Sequence, residues 1–413
     1  MRLAPTKAGF SPERLERITD HLTKHYIDPG KIAGCQTLVA RHGHAAYFRS
    51  LGFMDRERGR PMADDTIFRL FSMTKPITSV ALMTLYERGL FQLNDPVHRI
   101  IPEWRDMTVY VSGEGEQMQT RAPTRPMTIG HLLSHQSGLS YGGGLQRLVG
   151  ASAPLHPADA AYVSSGVHRD RGETLRSFVE KLSNVPLRFD PGDSWMYSYA
   201  TDVCGYLVEA MSGMPFDQYL QETIFEPLGM SDTAFFVAPE KNDRLAANYG
   251  RAADKSLRLI DDPETSSYLE RPSFLAGGSG LTGTTADYLR FCEMLRRGGE
   301  LDGARILGPR TLRLMTQNHL TAGRDLAQTA VGLFSETAYD GIGFGLGFAM
   351  TLDAVKAGSI AAGDYYWGGA ASTIFWVDPV EDLVVIFMTQ LIPSATFNFR
   401  GQLKSIVYSS IVD

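Results

Sequence analysis

Cysteine is scarce: Cys35, Cys204 and Cys292 are the three in 413 residues. The number is odd, the spacing is wide and each sits in an apolar or helical-looking stretch. That pattern excludes a disulfide framework, predicts buried free thiols and suits a reducing compartment. Long apolar runs are missing too. The longest, Leu383 to Met388, has strand length, far short of the ~20 residues of a membrane helix. The opening MRLAPTKAGFSPERLERI lacks the apolar core of roughly 7–15 residues that a signal peptide carries. A cytoplasmic protein with no membrane partner is expected. No cluster of Lys or Arg forms a stripe and the net charge is −6, so nucleic acid is not an expected partner. No serine lies in a complete Gly-x-Ser-x-Gly: Gly192-Asp193-Ser194-Trp195-Met196 and Gly277-Gly278-Ser279-Gly280-Leu281 each lack the final glycine. An α/β-hydrolase with a Ser-His-Asp triad is therefore disfavoured.

What is present is ordinary globular composition, 43% hydrophobic and 21% charged, which excludes general disorder. Helical spacing runs through Pro12–Tyr26 behind Ser11, and through Lys75–Gly89, Thr124–Leu133, Leu175–Leu182, Asp202–Ser212, Phe216–Ile224, Ala286–Arg297 and Asn398–Ile411. Cys35–Gly52 reads as a hairpin turning at His42-Gly43. Phe344–Thr351, Tyr365–Val377 and Leu383–Gln390 read as three strands. Gly142–Gly144 and Ala151–Arg171 read as a long loop or lid, whereas Val237–Asp262 has too little periodicity to place. Strands at both ends with helices between predict an α/β protein of the α+β type, with one antiparallel sheet built from both chain ends and flanked by helices. The expected organisation is a single catalytic domain over 1–413. Its α/β part takes residues 1–90 and 335–413, and a mostly helical part, 91–334, is inserted between them.

Three short stretches carry chemistry. In Ser72-Met73-Thr74-Lys75 the serine and lysine are three apart, one helical turn, so both side chains share a face. A serine hydroxyl is a weak nucleophile until a base takes its proton, and an enclosed lysine loses charge stabilisation and becomes such a base. A serine opening a helix also offers its own N–H to an oxyanion. In Trp195-Met196-Tyr197-Ser198-Tyr199, preceded by Asp190-Pro191-Gly192, the phenol of Tyr197 stands before a helix, where a nearby ammonium would favour its use as a base. In Tyr366-Trp367-Gly368-Gly369-Ala370, two glycines inside a presumed edge strand suit close approach of a ligand, with the Ala370 N–H available to a carbonyl oxygen. One further pair, His131 and His135, has the i, i+4 spacing of metal ligands. It lacks the glutamate of His-Glu-x-x-His and any evident third ligand, so packing and hydrogen bonding account for it.

Taken in order, Ser72-x-x-Lys75, Tyr197-Ser198-x and Trp367-Gly368-Gly369 resemble the motifs of the serine β-lactamase and penicillin-binding-protein superfamily. HLLSHQSGL (131–139), FEPLGMSDTAF (225–235) and GGSGLTGTTADYLRF (277–291) are similar to it as well. The likeness is strongest to class C β-lactamases and the family VIII carboxylesterases that share their fold. The resemblance implies that Ser72 is the acylated serine, that Lys75 and Tyr197 handle its proton, and that the N–H groups of Ser72 and Ala370 form the oxyanion hole. Where β-lactamases of this type carry Tyr-x-Asn and Lys-Thr-Gly, this chain has Tyr199 in the third position and Trp367-Gly368-Gly369. The lost lysine removes a cation for a β-lactam carboxylate, and an indole suits a neutral acyl or alcohol group. Tyr141, Trp195, Tyr199, Tyr366 and Trp367, with Gly368 and Gly369, are the expected substrate-binding residues.

The expected reaction is hydrolysis of a small-molecule ester of small to medium acyl size through an acyl-enzyme, with no metal or cofactor. β-Lactam or amide hydrolysis and transacylation at the same serine are the alternatives. A non-catalytic penicillin-recognising module is the rival of a different class. Nothing in the sequence reads on oligomeric state.

Overall fold

The computed structural model describes residues 1–144, 154–332 and 337–413. Its centre is an eight-stranded antiparallel sheet of β1 (Gly34–Arg41), β2 (His44–Asp55), β3 (Arg60–Pro61), β4 (Ile342–Phe344), β5 (Ala349–Thr351), β6 (Tyr365–Gly368), β7 (Ile374–Asp378) and β8 (Leu383–Thr389), in spatial order β4-β5-β6-β7-β8-β1-β2-β3. The hairpin β1–β2 turns at His42 and Gly43, whose φ angles of 54° and 73° are the left-handed pair of a tight two-residue turn. Every residue of β1 is buried, because β8 and β2 flank it on either side. Together they join the two ends of the chain into one sheet.

Helices cover both faces. Phe375 and Phe387 belong to opposite faces, since Phe375 pairs with Ile386 and Phe387 with Ile374. Phe387 packs on Phe399 of the last helix and Phe375 on Tyr288. The nine helices used below are α1 (Pro12–Leu22), α2 (Thr74–Glu87), α3 (Ile129–Leu133), α4 (Pro157–Ser164), α5 (Leu175–Leu182), α6 (Ala200–Ser212), α7 (Phe216–Leu220), α8 (Thr285–Arg296) and α9 (Phe399–Tyr408). Ser11 caps α1 by accepting the Arg14 N–H, and Leu15, Ile18 and Leu22 form its buried stripe. Helix α2 is buried at every position from Thr74 to Leu85, the pattern of a helix enclosed on all sides.

Four expectations need correction. The stretch Tyr365–Val377 is two strands, not one, because Gly369–Thr373 makes a tight turn with Ser372 at φ 64°. Phe344–Thr351 is likewise split between β4 and β5. Strand β6 is interior rather than an edge, lying between β5 and β7. The loop expected over Ala151–Arg171 contains α4, held by Pro157 at its start and by His156, whose Nδ1 accepts the Ala158 N–H; Ala151–Ala153 lie outside the described residues. Gly142 and Gly143 form a turn. The unplaced stretch Val237–Asp262 holds the antiparallel pair Asn248–Arg251 and Leu257–Asp261, completed by a parallel strand from Leu391–Ile392.

Cys35, Cys204 and Cys292 are free and buried. Among the described residues no helix is long and apolar enough to cross a membrane.

Candidate active site

Ser72 lies in a single 3₁₀ turn, Phe71–Met73, that leads directly into α2. Phe71 stands at φ 46°, a left-handed conformation that costs a non-glycine residue energy and that the surroundings must hold. They do so through several bonds. The Leu70 N–H donates to Leu281 O at 2.9 Å. The Leu281 N–H donates to Thr74 Oγ1 at 3.1 Å, Thr78 Oγ1 donates to Gly277 O at 2.7 Å, and the Tyr288 hydroxyl donates to Met73 O at 2.9 Å. The start of α2 is thus clasped to the segment 277–281.

That clasp places the lysine. Lys75 is 1% exposed and its ammonium donates to Ser72 Oγ at 3.1 Å and to Gly278 O at 2.6 Å. It also stands 4.5 Å from the centre of the Tyr197 ring and 5.7 Å from that of Tyr141, where the negative ring faces favour a cation. The Gly278 N–H in turn donates to Asp202 Oδ1 at 3.0 Å, and Asp202 Oδ2 accepts Arg169 Nη2 at 2.7 Å. A side chain at Gly278 would strike both Arg169 Nη2 and Asp202 Oδ2, so glycine lets the backbone pass without displacing the pair. Arg169 lies 5.3 Å from the Tyr141 ring centre and 5.2 Å from that of Tyr199. Neither Arg169 nor Asp202 was legible as part of a site, because α6 and the segment after α4 meet Gly278 only in three dimensions.

Tyr197 sits just before α6 in an aromatic nest. Trp195 stacks parallel to it with ring centres 6.1 Å apart. His135, Tyr141 and Trp367 meet its ring edge-on at 5.1, 5.3 and 5.4 Å. The Trp367 indole N–H donates to the Tyr197 hydroxyl oxygen at 3.3 Å, which stabilises negative charge building on that oxygen. Trp195 and Trp367 are both fully buried, so their indoles support Tyr197 rather than presenting surface to a ligand. Tyr141 and Tyr199 retain 7% and 6% exposure. Tyr366 faces away from Ser72, its hydroxyl paired with Thr337 Oγ1 and its ring under the Arg400 guanidinium at 4.5 Å.

His135 is also in this nest. Burial first, and then the charge of Lys75, hold its pKa well below the ordinary value, so the imidazole is neutral. His131, at the other end of α3, serves its cap: its Nδ1 accepts the Thr128 N–H while its own N–H donates to Thr128 Oγ1. Among the described residues no group of His, Cys, Asp and Glu is arranged to hold a metal ion.

Strand β6 runs past the serine. After Gly368 the chain leaves the ladder, with the Gly369 N–H donating to Thr373 O at 2.8 Å and the Ser372 N–H to Gly369 O at 2.9 Å. Ala370, 7% exposed, lies between them. Among the described residues its N–H enters no hydrogen bond. Gly369 abuts the turn that carries Ser72: a Cβ there would collide with the Leu70 carbonyl oxygen and Thr373 Oγ1 and press on Phe71 Cβ. The structure thus brings Ser72, Lys75, Tyr197, Tyr141, Trp195, Trp367, Gly368, Gly369 and Ala370 into one region, with Tyr199 on its Arg169 side.

Comparison with known proteins shows the family and the fold. The Beta-lactamase family matches residues 19–403. Esterase EstB of Burkholderia gladioli is 33% identical over 403 residues, spanning 94% of this chain and 93% of its own. The solved structure of EstCE1, a hydrolase with promiscuous acyltransferase activity, superposes with a TM-score of 0.78 at 30% identity, covering 96% of this chain and 99% of that one. The LovD6 mutant of simvastatin synthase from Aspergillus terreus superposes equally well, with a TM-score of 0.78 at 26% identity over 97% of this chain and 98% of its own. Matched in sequence and in fold over nearly its whole length, the chain belongs to the Beta-lactamase family and is an enzyme of its esterase-like, hydrolase branch.

Proposed function

We propose that the protein is a carboxylesterase that hydrolyses esters of small to medium acyl groups through an acyl-enzyme on Ser72. The observation that carries this reading is the lysine ammonium at 3.1 Å from Ser72 Oγ and 4.5 Å from the Tyr197 ring centre, with Lys75 and Tyr197 both buried and Ser72 keeping some exposure. Ser72 Oγ gives its proton to the Lys75/Tyr197 pair as it attacks the ester carbonyl carbon. The carbonyl oxygen gains the charge and is held by the N–H groups of Ser72 and Ala370. Collapse expels the alkoxide, which takes a proton from the same pair. Water then attacks the acyl carbon, giving up a proton to that pair and releasing the acid and a regenerated serine.

Tyr141 and Tyr199, which keep some exposure, are the lining residues in this reading, and Trp195, Trp367 and the two glycines shape the site from behind. Trp367 at the position of a β-lactamase lysine leaves the strand without a cation there, which favours neutral esters over β-lactams. The likeness to simvastatin synthase and to EstCE1, with its acyltransferase activity, supports a second reaction at the same serine, transfer of the acyl group to an alcohol in place of water.

The test is hydrolysis of p-nitrophenyl butyrate by wild type and Ser72→Ala, with a chromogenic cephalosporin alongside and a small alcohol added as competing acceptor. Ester turnover that vanishes in Ser72→Ala and outpaces cephalosporin turnover supports the proposal. Ester turnover that survives the substitution refutes it.

A further inference from the structure

The mechanism above makes no use of the one neutral buried imidazole beside Tyr197. His135 is 1% exposed and follows α3 at φ 55°, a left-handed conformation that histidine adopts at some cost. A leucine would pay at least as much for that backbone conformation but would be spared the burden of burying two ring nitrogens. The backbone and ring of this residue together make a set of bonds aimed at one short segment. Its carbonyl oxygen accepts the Met196 N–H at 2.9 Å. Its Nδ1 lies 3.2 Å from Ser198 Oγ and its Nε2 lies 3.4 Å from Thr201 Oγ1. Its ring meets the Tyr197 ring edge-on at 5.1 Å. The residue before Tyr197, the residue after it, the first turn of α6 and the phenol itself all rest on this one side chain and its carbonyl.

One neutral tautomer fits the surrounding bonds. Ser198 Oγ already accepts the Ala200 N–H at 3.3 Å, so its own hydrogen is free to point at Nδ1. The remaining ring hydrogen then sits on Nε2 and donates to Thr201 Oγ1. This neutral tautomer satisfies both ring nitrogens.

We infer that His135 is a positioning residue for the proposed reaction, fixing the Tyr197 ring and hydroxyl against Lys75 and Trp367 by bracing the segment 196–201 on both sides. The inference rests on the reading of Tyr197 as a proton-handling group.

Asparagine is the informative replacement. It tolerates a left-handed backbone and keeps an acceptor or donor near Nδ1, so His135→Asn retains the Ser198 bond and loses the ring and the Thr201 bond. His135→Ala loses all of these and adds backbone strain. Thr201→Val and Ser198→Ala remove the partners one at a time with the imidazole in place, and they carry the test if His135→Ala does not fold. Pre-steady-state acylation by p-nitrophenyl butyrate, steady-state KM and thermal melting are measured for each. The expected result is a fall of about 10²-fold in acylation rate for His135→Ala, the loss that ~1 Å of misplacement brings. His135→Asn recovers about tenfold of it, and Thr201→Val loses about fivefold, the equivalent of one ordinary hydrogen bond. KM stays within about threefold throughout, as it does when a transition-state contact is lost. Acylation rates for His135→Asn and Thr201→Val that both stay within about twofold of wild type, or rates that merely follow the folded fraction, overturn the inference. Ser72→Ala is run in parallel: if it is inactive while the His135 variants are unimpaired, this inference alone fails, and if it is active the proposed function fails.

Discussion

The sharpest structural prediction concerns one hydrogen atom on Gly369. Replacing it by a methyl group brings a carbon into the Leu70 carbonyl oxygen, part of the backbone leading to Ser72, and into Thr373 Oγ1. The new carbon would stand about 1 Å short of an ordinary van der Waals separation from both. Thr373 can turn its side chain, but the Leu70 oxygen is tied into the turn that bears Ser72 and cannot. The strand end carrying Ala370 must therefore move by about that 1 Å, which is enough to lower the rate roughly 10²-fold if its N–H belongs to the oxyanion hole. Overpacking also costs about 1–3 kcal/mol of stability. The neighbouring substitution is a built-in control. A Cβ at Gly368 would meet Arg400 Nη2 at 3.0 Å, Thr373 O at 3.1 Å and Ile374 Cγ2 at 3.2 Å, contacts relieved by a few tenths of an ångström. The assay is the pre-steady-state burst of p-nitrophenol with melting temperature measured on the same samples. Gly369→Ala should stay folded with a burst rate down by about two orders of magnitude, and Gly368→Ala should change the rate less than tenfold. A folded Gly369→Ala that acylates within about threefold of wild type refutes the assignment of Ala370.

Two further predictions follow from buried charge. Asp202→Asn keeps an acceptor for the Gly278 N–H but ends the ion pair with Arg169, whose side chain is 28% exposed against 0% for Asp202. The cost should be about 1–2 kcal/mol, below that of a fully buried pair, and should lower the melting temperature by about 1–3 °C in a chain of this length; an unchanged melting temperature counts against the pair. Burial lowers the pKa of His131 from 6.5 to about 4, and those of His135 and His319 also lie below their ordinary value. The unfolded chain therefore takes up protons first as pH falls below 6.5, and stability is lost from there toward pH 4, at up to about 1.4 kcal/mol per pH unit for each histidine. Thermal melts at pH 7, 6 and 5 should show this decline, with a shallower slope for His131→Asn; a flat profile refutes it.

Much of this was legible in the sequence, and the reasons are local. Ser72 and Lys75 are one turn apart, so their spacing alone brings them together. His42-Gly43 announces its turn because those residue types favour left-handed backbone. The amphipathic stripes of α1 and α5 are plain in their spacing. The illegible parts are of two kinds. Some turns are disguised: Gly369–Thr373 reverses the chain through Ser372 at φ 64°, and Lys255 at φ 71° turns the pair Asn248–Arg251 and Leu257–Asp261, neither of them a residue that signals such a conformation. Other features depend on distant partners. The Leu391–Ile392 strand joins residues some 140 positions earlier, and the chain Lys75, Gly278, Asp202, Arg169 links four segments by single hydrogen bonds. His135 lay between the two kinds. Its sequence supported hydrogen bonding over metal binding, and only the fold shows that the bonds converge on Tyr197.

The closure of the sheet by its two ends has a consequence for how the protein comes into being. Strand β1 emerges from the ribosome more than 300 residues before β8, its partner along seven aligned pairs. Through nearly all of synthesis β1 must wait with one long edge open. Pairings of such high sequence separation form slowly and leave strand edges exposed to misassembly. Ser72, the proposed nucleophile, is likewise made early and Ala370 late, so on that reading no nascent chain carries a finished site until its final strands have been added. Yield in a heterologous host should therefore respond to elongation rate and to chaperones that shelter unpaired strands, more than to the stability of the finished fold.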